Sequence, residues 1–122
     1  MSVPTYGSLQ NQMNKEYRCN HAAQLKKSYE SPECLMNFVE QSNGSYGIKN
    51  VKNNEYFDSS ITTMTKKVSG ASEQWRLLAL PDVENGYYVQ NVKNNEFMTS
   101  SASQLSSKAG SKEIWIIEER QS

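Results

Sequence analysis

Cysteine, histidine and long apolar runs are all scarce in this chain, and each scarcity excludes something. Two cysteines, Cys19 and Cys34, are too few for a disulfide scaffold or a zinc site. The single histidine, His21, lies two residues from Cys19, but no third group orients the pair and no Ser-His-Asp frame assembles around it. No stretch approaches the ~18 apolar residues that span a bilayer, so no membrane insertion is expected. The opening MSVPTYGSLQNQMNKEY lacks the basic-then-apolar pattern of a secretory signal, and the expected location is cytoplasmic. Excess charge is missing too. Thirteen basic and thirteen acidic side chains cancel over the whole chain. The balance also holds locally, with four of each sign from Tyr6 to Ser45, five of each to Gly86 and four of each beyond. No net field gathers nucleic acid, so nucleic acid is not an expected partner. Glycine-rich phosphate loops, metal-ligand clusters and paired acid/base carboxylates find no support, so neither cofactor nor metal is expected and the chain does not read as an enzyme. The lone sequon, Asn43-Gly44-Ser45, matters only if the protein is exported.

What the chain does have is repetition. NVKNNE occurs at Asn50 to Glu55 and again, unchanged, at Asn91 to Glu96. The identity sits inside a longer match of IKNVKNNEYFDSS, from Ile48, with VQNVKNNEFMTSS, from Val89. The same frame pairs Met64 with Leu105. After a one-residue deletion it pairs Trp75 with Trp115 and Leu77 with Ile117. A diverged third copy, LQNQMNKEYRCNHAAQL from Leu9, sets Asn11 over Asn50, Glu16 over Glu55, Tyr17 over Tyr56 and Leu25 over Met64, with Met36 and Phe38 further on. Three units of about forty residues, approximately 6–45, 46–86 and 87–122, fill one domain spanning 1–122.

Within a unit the pattern is that of strands. Ile48, Asn50 and Lys52 alternate with Lys49 and Val51, and Val51 and Val92 are expected to hold the sheet. Asn53-Asn54 and Asn94-Asn95 suit tight hairpin turns because Asn tolerates positive φ. Asn43-Gly44 and Asn85-Gly86 are turn signals between units. TKKVSGAS and SSKAGS separate the third strand from the fourth, and a helix fits, weakly, only around His21 to Tyr29. Four short strands in each of three units indicate an all-β fold, a β-trefoil, in which three apolar faces meet on a pseudo-threefold axis and closure removes sheet edges. The expected core comes in triplets: Leu9, Ile48, Val89; Tyr17, Tyr56, Phe97; Leu25, Met64, Leu105; Met36, Trp75, Trp115; and Phe38, Leu77, Ile117. Both tryptophans are assigned to core packing. Glu16, Glu55 and Glu96 mark solvated strand ends, and Lys66-Lys67 a solvated loop.

YGIKNVKNNEYFDSS…SEQWRLLAL and YYVQNVKNNEFMTSS…KEIWII resemble the repeat unit of ricin B-type lectin β-trefoils, which runs from an aromatic through Asn-Val to an apolar residue and Asp and ends in Gln-x-Trp. The resemblance spans all three units and is weakest in the first. It implies a non-enzymatic carbohydrate-binding module with shallow sites in the loops. The family's binding Asp falls on Asp58, but on Thr99 in the third unit and Cys19 in the first. Its Gln falls on Glu73, Glu113 and Cys34, and the Asn before it on Ser72 and Lys112. An aromatic platform is implied near Lys66, Lys67 or Lys108, and none is there. Only the middle unit keeps a sugar site, with Asp58, Ser72 and Glu73. Asp58 has a second reading as a turn cap that bonds nearby main-chain amides. Cys19 and Cys34 fall on positions that are neighbours in the family's fold, so either a disulfide or two free thiols fits, although a reducing cytosol disfavours the bond.

Two functions are therefore carried forward. One is a carbohydrate-binding trefoil whose partner is a glycan or glycoconjugate. The other is a protein-interaction module, an inhibitor-like or cytoskeleton-binding trefoil, whose sugar sites have degenerated, since fold alone does not choose between them.

Overall fold

The computed structural model describes residues 3–121. Twelve strands follow one another: β1 Tyr6–Asn11, β2 Tyr17–Arg18, β3 Leu25–Lys26, β4 Met36–Glu40, β5 Tyr46–Asn50, β6 Tyr56–Phe57, β7 Met64–Thr65, β8 Trp75–Ala79, β9 Gly86–Asn91, β10 Phe97–Met98, β11 Leu105–Ser106 and β12 Ile114–Glu119. The six longer strands pair antiparallel in a closed ring, β1-β4-β5-β8-β9-β12 and back to β1. The short strands form three hairpins, β2-β3, β6-β7 and β10-β11, each attached to one ring strand. The fold is a β-trefoil.

The ring explains why the apolar triplets recur. Register sets Leu9 opposite Ile117, Ile48 opposite Phe38 and Val89 opposite Leu77, so one layer of the barrel is built from threefold-related cross-strand pairs. Leu9, Ile48 and Val89 are fully buried, as are Met36, Trp75 and Trp115, while Leu77 is only partly covered. Each indole N–H finds a main-chain oxygen: Trp75 Nε1 donates to Phe57 O at 3.1 Å and Trp115 Nε1 to Met98 O at 3.0 Å. Leu25, Met64 and Leu105 are partly buried and pack against this core.

One expected layer is displaced by a residue. Tyr17, Tyr56 and Phe97 are half-buried, and the positions that reach full burial are their successors, Arg18, Phe57 and Met98. In a two-residue strand either side chain can face the axis, so sequence alternation carries no information there. The three rings lie further out, with Tyr17 edge-on to Tyr29 at 5.9 Å, Phe97 edge-on to Tyr88 at 5.9 Å and the Lys49 ammonium 5.9 Å from the Tyr56 ring.

The exchange puts a guanidinium where the other units have Phe57 and Met98. Arg18 Nη1 donates to Ala22 O at 2.7 Å and Ala102 O at 2.9 Å, and its carbon lies 5.9 Å from the Phe57 ring and 5.7 Å from that of Trp115. Its Nε has no partner, and burial pulls its pKa down to about 9. An isolated ion in such a place costs several kcal/mol of desolvation, offset here only by carbonyls and ring faces.

The repeated hexapeptide is a fastener between units. Asn11, Asn50 and Asn91 are all fully buried. Each amide oxygen accepts from two main-chain N–H groups of its own turn: Met13 and Asn14, Lys52 and Asn53, Lys93 and Asn94. Each Nδ2 reaches into a loop of the neighbouring unit: Asn50 to Glu33 O at 2.8 Å, Asn91 to Ser72 O at 3.0 Å and Asn11 to Lys112 O at 2.9 Å. The three bonds close a cycle around the axis, and a buried amide so satisfied rigidifies what it joins. Val51 and Val92 lie just past the strand ends and contribute through the main chain, their N–H groups donating to Leu35 O and Gln74 O at 2.9 Å. The turns use positive φ at Asn54 (61°), Asn95 (61°) and, in the worn copy, Lys15 (64°). The weak helix expected over His21 to Tyr29 is replaced by a turn and strand β3. Among the described residues, helical turns occur only as single 3-10 turns at Ala71–Glu73 and Ser111–Glu113.

Candidate functional site

Asp58 immediately follows β6, at the mouth of the β6-β7 loop, and is half-exposed. Its Oδ1 accepts from Ser60 N at 2.9 Å and Ser60 Oγ at 2.6 Å, and its Oδ2 from Thr63 Oγ1 at 3.2 Å. The Ser60 and Thr63 oxygens lie 2.8 Å apart, so with the Ser60 proton on Asp58 the single Thr63 proton is shared between Ser60 Oγ and Asp58 Oδ2. The turn-capping role is thus present in full. A carboxylate has about four lone-pair sites, so Oδ2, with one neutral partner, retains capacity toward solvent. Ser60 and Thr63 were absent from the expected set. The signal that could have found them is the D-x-S spacing of an Asx turn within DSSITT.

The same loop holds, among the described residues, the one β-branched residue of positive φ. Ile61 has φ 60° and is fully buried, its N–H donating to Asp58 O at 3.0 Å. Such a conformation costs on the order of 1–3 kcal/mol and persists only where its surroundings impose it. The equivalent residues in the other hairpins, Ala22 and Ala102, have ordinary φ.

Ser72 and Glu73 are brought together, on the 3-10 turn before β8. Glu73 is 4 % exposed. Its Oε1 accepts from Ser69 N at 2.9 Å, Ser69 Oγ at 3.0 Å and Gly70 N at 3.2 Å, and its Oε2 from the Ser72 hydroxyl. Burial alone would raise this carboxyl, but the bonds from Ser72, Ser69 and Gly70 outweigh it and hold the pKa below the usual range. Glu73 therefore clamps the loop, and among the described residues no hydrogen bond joins it to Asp58.

The other two units close the equivalent pair of positions. In the third, Thr99 Oγ1 donates to Glu113 Oε2 at 2.5 Å, and Glu113 Oε1 accepts from Gly110 N at 2.7 Å. In the first, Cys19 and Cys34 are joined as a disulfide. Of the two states open for the cysteines, the bonded one is observed, and no sulfur is left beside His21 as a nucleophile.

No family model and no curated protein matches this sequence. Solved structures match its fold. SeviL bound to asialo-GM1 saccharide superposes with a TM-score of 0.80 at 13 % identity, covering 98 % of this chain and 100 % of its own. The designed threefold-symmetric protein ThreeFoil gives 0.80 at 14 % identity, over 94 % and 99 %. The GlcNAcα1-4Gal-releasing endo-β-galactosidase from Clostridium perfringens gives 0.80 at 12 % identity, over 95 % of this chain and 32 % of that one. At these identities the likeness shows the β-trefoil fold, shared by free-standing chains and by part of a longer glycosidase.

Proposed function

We propose that this chain is a non-enzymatic carbohydrate-binding β-trefoil of the ricin B type, one domain over 1–122, whose sugar site lies in the middle unit. The observation that carries the proposal is the contrast at one structural position. Two units seal it with a covalent or hydrogen bond, whereas the middle unit leaves the Asp58 carboxylate half-exposed with Oδ2 underused. In this reading Asp58 accepts hydrogen bonds from adjacent sugar hydroxyls, and Ser72 and Glu73 hold the opposite loop in place. SeviL, of the same fold and full-length coverage, was solved with a saccharide bound, which supports a glycan as the partner class. A glycan array followed by titration calorimetry tests this. A charge-assisted hydrogen bond is worth about 1.5–3 kcal/mol, so Asp58→Ala should weaken binding by roughly 10- to 100-fold. No binding to neutral or acidic glycans at high protein concentration, or binding unchanged by Asp58→Ala, would overturn the proposal.

The second reading is the protein-interaction module. It is favoured by the full use of Glu73 within its own loop and by the lack of any aromatic platform near Lys66 or Lys67. Recovery of one stoichiometric protein partner, unaffected by competing sugars, would establish it instead. The proposed location is cytoplasmic, where glutathione would keep Cys19 and Cys34 reduced, in contrast to the closed bond of the structure. Alkylation of the protein as isolated from its own cell decides this: two reactive thiols fit the cytosol, none fits an oxidising compartment.

A further inference from the structure

Beside Asp58, across the boundary between the first and second units, lies a polar cleft of about 320 Å³. Asn20, His21 and Gln24 line it from the first unit, and Glu55, Thr62 and Thr63 from the second. We propose that this cleft and Asp58 form one extended site that takes an oligosaccharide of neutral or amino sugars, rather than a single sugar ring. The proposal rests on the sugar-binding reading above and goes beyond it in naming the ligand's length and charge.

Continuity comes from Thr63. The residue lines the cleft, and its hydroxyl donates to Asp58 Oδ2 at 3.2 Å. A chain of sugars leaving Asp58 on that side therefore meets the cleft next. The volume falls at the lower end of the roughly 300–1,000 Å³ of ligand clefts, enough to add to the Asp58 subsite but not to enclose a large aglycone.

The lining chemistry fits a polyol. Two amides and the Thr62 hydroxyl both donate and accept, as sugar hydroxyls do, and carry no charge, while the Thr63 hydroxyl, its proton already engaged, offers an acceptor. The one carboxylate in the lining is that of Glu55, and Asp58 joins the cleft through Thr63; no lysine or arginine lines it. A sialic acid, uronic acid or sulfate would bring a like charge against two carboxylates, whereas a glucosamine ammonium would not.

The walls are held before any ligand arrives. Asn53 Nδ2 donates to Asn20 O at 3.1 Å, tying the second unit's turn to the first unit's loop. The Cys19–Cys34 bond fixes the residue immediately before Asn20, and Gln24 N closes a turn on His21 O at 3.1 Å. Fixed walls lower the ordering cost of binding.

Titration calorimetry of the whole chain with matched probes tests this: galactose against lacto-N-tetraose, N-acetylglucosamine against chitotetraose, glucosamine against the chitosan tetramer, and 3′-sialyllactose against lactose. In at least one pair the tetrasaccharide should bind tenfold or more tighter than its monosaccharide, and sialylation should not strengthen binding. The double variant His21→Ala/Gln24→Ala, at two exposed positions, should erase the length advantage and leave monosaccharide affinity and the melting temperature within error of wild type. Equal affinity for both members of every pair overturns the extended site while leaving the Asp58 site standing. So does a length advantage that the double variant retains, and tighter binding of 3′-sialyllactose than of lactose overturns the charge assignment. No binding to any probe overturns both proposals together.

Discussion

The first and middle units treat the same pair of positions in opposite ways. Cys19 and Cys34 make the pair a covalent bond; Asp58 and Glu73 make it two carboxylates, each bonded to its own hydroxyls and amides. The third unit stands between them, with Thr99 donating to Glu113. The fold brings these positions into contact in the first and third units, and the residue types decide what that contact becomes. A thiol pair or a hydroxyl-carboxylate pair becomes a staple. Two like charges cannot, and one of them is left facing water.

The largest expected break in this comparison comes from opening the first unit's staple. The cysteines are 15 residues apart, and a loop of that size contributes about 3 kcal/mol in the chain-entropy account. Cys19→Ser/Cys34→Ser should lose roughly that much in urea unfolding; a loss under about 1 kcal/mol would show that the bond does not set the unit's stability. In the third unit, Thr99→Val removes the donor to Glu113 Oε2, where both residues are buried. An unsatisfied buried carboxylate oxygen costs on the order of 1–3 kcal/mol, and a change within error would mean that water replaces the hydroxyl.

Glu73 sharpens the comparison through pH. Its folded pKa lies below the ordinary carboxyl value of 4.5, so its contribution is complete above that value and is lost as pH falls through the folded pKa. Wild type should therefore exceed Glu73→Gln in stability at pH 7, and the gap should narrow as pH drops below about 4.5. A gap that widens on acidification would reverse the sign and rule out the clamp. The smallest stability effect belongs to Asp58→Thr, which installs the third unit's residue opposite Glu73. The added hydrogen bond, about 1 kcal/mol, offsets the loss of the bonds that Asp58 accepts from Ser60 and Thr63, so stability should change by no more than about 1 kcal/mol while glycan binding is lost.

These contrasts also mark what the sequence could convey. The threefold frame was legible because NVKNNE repeats a main-chain task, and buried Asn50 and Asn91 perform it with the same donors and acceptors. That the first Asn of the motif bridges units was not legible, since its acceptors, Glu33 O and Ser72 O, are main-chain atoms of loops with no common residue. The Tyr17, Tyr56, Phe97 layer is displaced because two-residue strands have no alternation to read, and nothing in a lone charge at Arg18 points to the axis. At the candidate site, Asp58 was legible as a matched position. Ser60 and Thr63 were not, because hydroxyls in a Ser/Thr-rich loop look alike until the chain turns and selects which of them face the carboxylate.

The central claim is that ligand chemistry resides in the middle unit and not in its threefold mates. It is tested most directly by titrating one glycan, chosen as the tightest on the array, into wild type, Asp58→Ala and Thr99→Ala under identical conditions. The account predicts a loss of tenfold or more for Asp58→Ala and a change within twofold for Thr99→Ala. Equal losses in both variants, or full binding retained by Asp58→Ala, would contradict it.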